Sequence, residues 1–296
     1  LKKGTTNIEQ YHLHKDHPEK LQFEVYNLSD YLETSGVHAQ LPHSHSFYQI
    51  LWIYNEGGVH YIDLDSYDVK TNTIFFISKN QIHYFDKTAN HEGVLIHFNE
   101  SFLMQSDVDI FLKYNVFNNQ GRPCYCITRD IIDQANSYLN LIKKEKAIAT
   151  GFGHQQVIRY LLKSLLIVLE RTHLQNTDEN IHLTNAYELQ YLQFRELIEH
   201  HYNKNYMVSD YADLLHISTK TLATITKTVT SKSPATLITE RIILEAQRLL
   251  AFTSLKVNEI AYKLGFEDAS YFVKYFKRHL KTSPTQYRRL ILNGIQ

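Results

Sequence analysis

A chain of 296 residues with 43% hydrophobic content is long enough for two ordinary domains and apolar enough to give each a core. Lys+Arg and Asp+Glu number 31 each, for a formal net charge of zero, which excludes a uniformly basic chain. Charge is nonetheless segregated: 14 of the Lys+Arg but only 7 of the Asp+Glu lie from Lys204 onward, so the last third carries the positive excess that phosphates attract. The strongest apolar run, Tyr160 to Leu169, is too short to span a bilayer and is broken by Lys163, and no apolar signal segment follows Leu1-Lys2-Lys3. A cytoplasmic protein with no membrane partner is expected. Cys124 and Cys126, the two cysteines, read as reduced thiols on one strand face, because i, i+2 partners on a strand rarely close a disulfide.

Between about Leu21 and Phe98, the segments LQFEVYNL, FYQILWIYN, GGVHYIDLDSYDV, NTIFFIS, QIHYFD and GVLIHFN are rich in β-branched and aromatic residues and are punctuated by Asn, Gly, Asp and Pro. Short strands at this spacing predict an antiparallel barrel or a double-sheet jelly roll. In His43-Ser44-His45-Ser46-Phe47-Tyr48-Gln49, two-residue alternation puts His43, His45 and Gln49 on one face if the strand is unbroken. His83 lies on a later strand. Apolar walls with a few hydrogen-bonding groups fix small molecules, so these four residues are candidates for a small-molecule pocket. Trp52, Tyr54, His60 and Tyr61 are further candidates, although aromatic strand residues are usually core. Histidines merely satisfied inside the barrel remain an open alternative.

From Thr128 the pattern turns helical. Ile131, Ile132, Ala135, Tyr138, Leu139 and Ile142 form one stripe, which ends in Lys143-Lys144-Glu145-Lys146. After the turn Gly151-Phe152-Gly153, a second helix is predicted from about His154 to His173. Its stripe of Val157, Ile158, Leu161, Leu162, Leu165, Leu166, Val168 and Leu169 is wider than one barrel contact requires. Two readings stand: a partner covers it, or the two helices pack on each other and on the barrel. The polar run Gln175 to Asn180 reads as a linker, and a helix bearing Tyr187, Leu189, Leu192, Phe194, Leu197 and Ile198 opens the next domain.

That domain contains an internal repeat. Val257, Ile260, Ala261 and Leu264 recur at helical spacing, Gly265 supplies a left-handed stop, and a second helix starts near the N-cap Asp268 and buries Phe272, Tyr275 and Phe276. Val208, Ala212 and Leu215 match Val257, Ala261 and Leu264. After a one-residue offset in the turn, Leu222 and Lys227 match Phe272 and Lys277. Two helix-turn-helix units follow from this pattern. The exposed face of the last one offers Ala269, Ser270, Val273, Lys274 and Lys277, a surface that suits a major groove. Between the units, a helix from about Pro234 to Thr253 spans roughly 30 Å at 1.5 Å per residue, close to the ~34 Å between successive major-groove faces.

The string Ile260-Ala261, Gly265-Phe266, Ser270-Tyr271-Phe272, Phe276-Lys277, Ser283-Pro284 and Tyr287-Arg288 resembles the C-terminal signature of AraC/XylS-type transcriptional regulators. The sequence departs from that signature at Lys281 and Ser231, where glycine is usual, and at Thr226, where phenylalanine is. The resemblance implies that Lys220, Ala223 and Thr224 in the first unit, and Ala269, Ser270 and Lys274 in the second, meet base edges of double-stranded DNA. Thr219, Lys227, Lys277 and Arg278 would hold phosphates. The strand-rich half resembles the cupin sensor domain of such regulators, which implies a small-molecule effector, RNA polymerase as a partner, a homodimer and, more commonly, activation. In metal-binding cupins the ligands would fall at His43, His45 and His83 with a carboxylate at position 49. Gln49 stands there instead, and a neutral amide is a poorer ligand, so no metal cofactor is expected. No paired general acid and base or activated nucleophile is legible, so an enzyme is not expected. A metal-dependent cupin enzyme or metal sensor with a DNA-binding tail, and a regulator without any ligand, are the alternatives.

The expected organisation is an α+β multidomain chain: a cupin-like antiparallel barrel or jelly roll over 1–127, a helical pair and possible dimer interface over 128–174, a linker over 175–184, and an all-α DNA-binding domain over 185–296. Its helix-turn-helix units are expected at about 206–228 and 256–279.

Overall fold

The computed structural model describes residues 8–17, 19–86, 90–99, 102–103, 123–148, 151–177 and 186–294. Two compact units emerge, one of Glu9–His182 and one built on Leu183–Gln296.

The first unit has ten described strands: β1 (Glu9–Tyr11), β2 (Phe23–Asn27), β3 (His43–His45), β4 (Tyr48–Ile53), β5 (Val59–Ile62), β6 (Asp65–Asp68), β7 (Thr73–Ile77), β8 (His83–Phe85), β9 (Gly93–Phe98) and β10 (Cys124–Cys126). They form two five-stranded sheets, ordered β1-β3-β8-β5-β6 and β10-β7-β4-β9-β2. Every described pairing is antiparallel except β1 with β3. No described ladder joins one sheet to the other, so the arrangement is a pair of open sheets and not a closed barrel.

Alternation along the second sheet assigns its two faces. Leu51 and Ile53 of β4, Phe75 and Ile77 of β7 and Leu95 of β9 meet Ile62 and Phe85 of the first sheet in one core. Ile50, Trp52, Ile74, Phe76, Val94 and Ile96 face the opposite way, onto helices α2 (Arg129–Ile148) and α3 (His154–Thr177). With both faces covered, β7 and β9 are buried along their whole length. This is why they read as continuous apolar runs and not as an alternation.

The two helices form a hairpin through Gly153, which adopts φ +72°, and Tyr125 Oη donates to the Leu169 carbonyl at 2.6 Å, tying β10 to α3. Helix α3 continues through Thr177, so residues 175–177 belong to it and not to a linker; 178–184 lie outside the described residues. Helix α1 (Leu28–Ala39) has no counterpart among the predicted elements, beyond Leu28 at the end of a predicted strand segment. The Asn27 side chain caps it by accepting from the Ser29 and Asp30 N–H groups at 2.9 and 3.3 Å.

The second unit is all helical: α4 (Ala186–His201), α5 (Val208–Leu214), α6 (Thr219–Thr230), α7 (Pro234–Phe252), α8 (Val257–Lys263), α9 (Ala269–Leu280) and α10 (Pro284–Gly294). The predicted repeat is present down to its hydrogen bonds. Asp210 and Glu259 each accept from the N–H three residues back, of Met207 and Lys256, both at 2.6 Å. The Ile217 and Phe266 N–H groups close equivalent turns onto the Ala212 and Ala261 carbonyls, both at 3.0 Å. Two separate cores result. Leu222 and Ile225 pack with Phe194, Ile198 and Tyr211, and Phe272 and Phe276 pack with Ile260, Ala261 and Leu264. Helix α7 serves both, giving Leu237 and Ile238 to the first and Ile243, Ala246, Leu249 and Leu250 to the second.

Candidate functional site

The exposed face of each second helix of the repeat is fixed by what its opposite face buries. Helix α6 is capped by Ser218, whose oxygen accepts from the Thr221 N–H at 3.0 Å, and it buries Leu222, Ile225 and Thr226. That leaves Thr219, Lys220, Ala223, Thr224 and Lys227 exposed along one side. Helix α9 is capped by Asp268, which accepts from the Ser270 N–H at 2.8 Å, and it buries Phe272 and Phe276. Ser270, Lys274, Lys277 and Arg278 are exposed there, while Ala269 is half-buried. A row of small and hydroxyl groups flanked by cations can approach a polyanion closely and supply both positioning and base-edge contacts. Thr224 Oγ1 donates to the Lys220 carbonyl at 3.0 Å, which leaves its lone pairs as acceptors. Tyr271, 56% exposed between Ser270 and Lys274, belongs to the same face. The sequence reading counted it as part of a motif and not as a surface group.

The N-terminal unit holds a cavity of about 110 Å³ between its sheets and α1, walled by Leu28, Leu32, Leu51, Phe85 and Leu95 and edged by Tyr11, Tyr31, His38, His43, His45, Gln49 and His83. Among the described residues, no Lys, Arg, Asp or Glu lines it. The chain does not run unbroken from His43 to Gln49: β3 lies in the first sheet and β4 in the second, and the crossing falls at Ser46-Phe47. The three side chains converge nonetheless, because the cavity lies between the sheets. His83 joins them through the β3–β8 ladder, where it is the register partner of His43.

Within the cluster, the His43 Nδ1 lies 2.8 Å from the Leu41 carbonyl. That makes Nδ1 the protonated nitrogen. His83 Nε2 lies 3.2 Å from His45 Nδ1, and His83 Nδ1 lies 3.0 Å from His60 Nε2. His97, a residue the sequence reading passed over, places Nε2 3.0 Å from Gln49 Oε1. Burial, seconded by neighbouring imidazoles, lowers the pKa of His45, His60 and His83 well below the ordinary value. Burial likewise lowers His43, against a raising contribution from the Leu41 carbonyl, and takes His97 down to about 3. The cluster is therefore neutral near pH 7.

The remaining candidates point elsewhere. Gln49 faces the cavity, so Trp52, an odd number of residues along β4, must face the helices; it sits in that core with Tyr54 at 5.0 Å. His60 is fully buried behind His83 and reaches the cavity only through it. Its neighbour Tyr61 lies on the opposite face and stacks on Tyr84 at 4.7 Å.

A family model described as a helix-turn-helix domain matches residues 211–290, which takes in most of the repeat. Similarity also extends over most of the chain. A protein of Enterobacter sp. (strain 638) named HTH-type transcriptional activator RhaS is 24% identical over 250 residues, covering 83% of this chain and 87% of the relative. The like-named protein of Shigella flexneri serotype 5b is 23% identical over 270 residues, covering 90% and 94%. Among solved structures, the C-terminal domain of the two-component response regulator yesN from Fusobacterium nucleatum is 30% identical, covering 32% of this chain and 94% of that one with a TM-score of 0.31. No helix among the described residues is long and apolar enough to cross a membrane. With two helix-turn-helix units built on the signature residues, a family match over them and full-length relatives named for transcriptional activation, the chain belongs to the AraC/XylS family: it is a DNA-binding transcriptional regulator with a C-terminal helix-turn-helix domain.

Proposed function

We propose that the protein is a sequence-specific activator of transcription whose N-terminal unit, a cupin-like double sheet, binds a small-molecule effector and biases how the C-terminal unit engages DNA in the cytoplasm. The observation that carries this reading is the pair of equivalent exposed helix faces on α6 and α9, each presenting hydroxyl and cationic groups from a rigidly capped frame. Lys220, Ala223 and Thr224, and Ala269, Ser270 and Lys274, read bases; Thr219, Lys227, Lys277 and Arg278 hold phosphates. Activation is supported by the names of the relatives and requires a contact with RNA polymerase. The effector reading is supported by the cavity between the sheets, whose lining of apolar, aromatic, imidazole and amide groups suits a small polar molecule without a strong net charge. An effector acts only by binding one arrangement of the protein better than the other.

Dimerisation through α2 and α3 is supported by the large apolar side chains they leave exposed. Leu141 and Ile148 lie on the first, Val157, Tyr160 and Ile167 on the second, and Phe152 in the turn between them is fully exposed.

The test is selection of a binding site from random DNA, followed by Lys274→Ala. Loss of about 1–3 kcal/mol on the selected site, with relaxed preference at one base position, is expected. An equal loss on selected and random DNA would make Lys274 a phosphate contact instead, and failure to select any sequence would sink the reading.

A further inference from the structure

The rings around the cavity are joined in a series whose direction decides what the wall can offer a ligand. His60 Nε2 lies 3.0 Å from His83 Nδ1, and His83 Nε2 lies 3.2 Å from His45 Nδ1. A neutral imidazole carries one N–H and one lone pair, so the series runs one way or the other and leaves a spare N–H at one of its ends. At the inner end, His60 Nδ1 is buried with no partner among the described residues, and its ring is wedged against Phe75 and Phe85 at centroid distances of 4.6 and 4.3 Å. At the outer end, His45 lines the cavity, where a ligand can accept. A buried N–H without an acceptor is rarer than a lone pair left bare. The proton therefore sits on Nε2 of His60, of His83 and of His45.

The neighbours of this series are fixed as well. His43 gives its Nδ1–H to the Leu41 carbonyl at 2.8 Å, so its Nε2 is a lone pair. His97 Nε2 lies 3.0 Å from Gln49 Oε1; that oxygen accepts from the ring and leaves the amide N–H groups for the cavity. Tyr11 Oη is engaged with His38 Nδ1 at 2.8 Å. The wall thus presents donors at His45 and Gln49 and an acceptor at His43, with the His43 and His45 rings 4.9 Å apart. An ionised ligand finds no opposite charge among the described lining residues, and burying it there is costly. A polyol brings more hydroxyls than these groups can pair, and each one left over is penalised.

We propose that His60 and His97, which do not line the cavity themselves, set its hydrogen-bonding polarity, and that the effector is an uncharged amide, lactam or hydroxyketone on an apolar body. The carbonyl oxygen of such a compound accepts from His45 and Gln49, and its neighbouring N–H or O–H goes to His43 Nε2. The inference rests on the effector reading of the cavity and names its ligand class. His60 and His97 act through other side chains and are positioning residues.

The experiment is isothermal titration calorimetry of the full-length chain with ε-caprolactam, N-methylcaprolactam and cyclohexanecarboxylate, compounds of similar bulk that differ in what they donate and in charge. The lactam should bind, and N-methylation, which removes its N–H, should weaken binding about 10-fold or more. The carboxylate should bind no better than the methylated lactam. On the protein side, Gln49→Glu should weaken the lactam about 10-fold or more by replacing a donor with a charge. His60→Phe should weaken it about 10-fold by freeing the series to reverse, and His60→Gln, whose side-chain N–H reaches the same place, should restore it. A ring that only filled space would be rescued by phenylalanine and not by glutamine. Melting temperature and specific DNA binding serve as folding controls, and the comparison of the two lactams on the wild-type chain stands even if a buried variant fails to fold. Equal affinity for the two lactams, or a preference for the carboxylate, overturns the assigned polarity. If no lactam binds while a member of a panel of free sugars and carboxylates raises the melting temperature of the wild type but not of a folded His45→Ala chain, the ligand class fails and the effector reading stands. If none of these compounds binds while DNA binding persists, both fail.

Discussion

The two helix-turn-helix units share a frame and differ in what fills it. Each opens on an acidic capping residue, Asp210 or Glu259, turns through a left-handed residue and closes on a second left-handed residue before a Ser-Pro helix start. The first turn is made by His216 at φ +55° in one unit and by Gly265 at φ +84° in the other; the closing caps are Ser231 at +60° and Lys281 at +59°. Cores diverge more. The buried pair Leu222 and Thr226 occupies the places held by Phe272 and Phe276. A backbone motif thus survives substitutions that thin its core, because caps and turns are satisfied locally, whereas aromatic burial sets how much stability each half contributes.

The sharpest test of this contrast is truncation of the matched core positions. Phe276→Ala should cost about 3–5 kcal/mol in urea unfolding of the C-terminal unit, while Thr226→Ala should cost about 1 kcal/mol or less. Equal costs would mean the two cores are equally demanding. Next in size is the turn. A methyl added at Gly265 would meet the Asn203 carbonyl oxygen at 2.3 Å, so Gly265→Ala should destabilise by about 2 kcal/mol or more. His216→Gly should be near neutral or mildly stabilising, since glycine accepts that conformation without strain.

Where α4 meets α7 inside the C-terminal unit, a third, pH-dependent measurement is available. Burial would raise the Glu245 carboxyl, but Arg241 and Arg248 outweigh it with contacts at 3.0 and 3.3 Å and hold it below the usual value. Its contribution is full above the ordinary carboxylate pKa of about 4 and is lost as pH falls through the lowered folded value. Glu245→Gln should therefore cost about 1–3 kcal/mol at pH 7 and flatten the acid limb of the stability curve; an unchanged limb would remove Glu245 from the account. The smallest expected effect is at the closing cap. Lys281→Gly should stabilise by about 0.5–1 kcal/mol by relieving a left-handed lysine, and a loss of stability there would mean that the lysine's bond to the Arg278 carbonyl at 3.1 Å matters more than its backbone.

The helical half was legible because its signals are local: the stripe of Val257 to Leu264, the stop at Gly265 and the cap at Asp268 all act within one turn of where they are read. In the strand-rich half, the candidate pocket depends on pairings far apart in the chain. The cluster is made by His43 opposite His83 across 40 residues, and no spacing rule predicts that. His97 escaped for the same reason. Tyr11 and Tyr31 come from a short edge strand and from α1, and α1 itself was hidden because its only strong signal is the single cap Asn27 ahead of a run containing Gly36. Trp52 and Tyr61 were different. With Gln49 and His60 on the cavity side, strict alternation already sends both rings to the other face, so parity was a clue in the sequence that residue type obscured.

Helix α7 is shared by both cores, and so it acts as a ruler. Its 19 residues set the distance and the rotational phase between α6 and α9. Inserting one residue near its middle would advance the second unit by about 1.5 Å and turn it by about 100°, re-aiming the exposed face of α9 relative to that of α6 without changing a residue of either face. Under the proposed reading, the spacing of the two sites on DNA would be written in the length of a helix that supplies none of the proposed contacts.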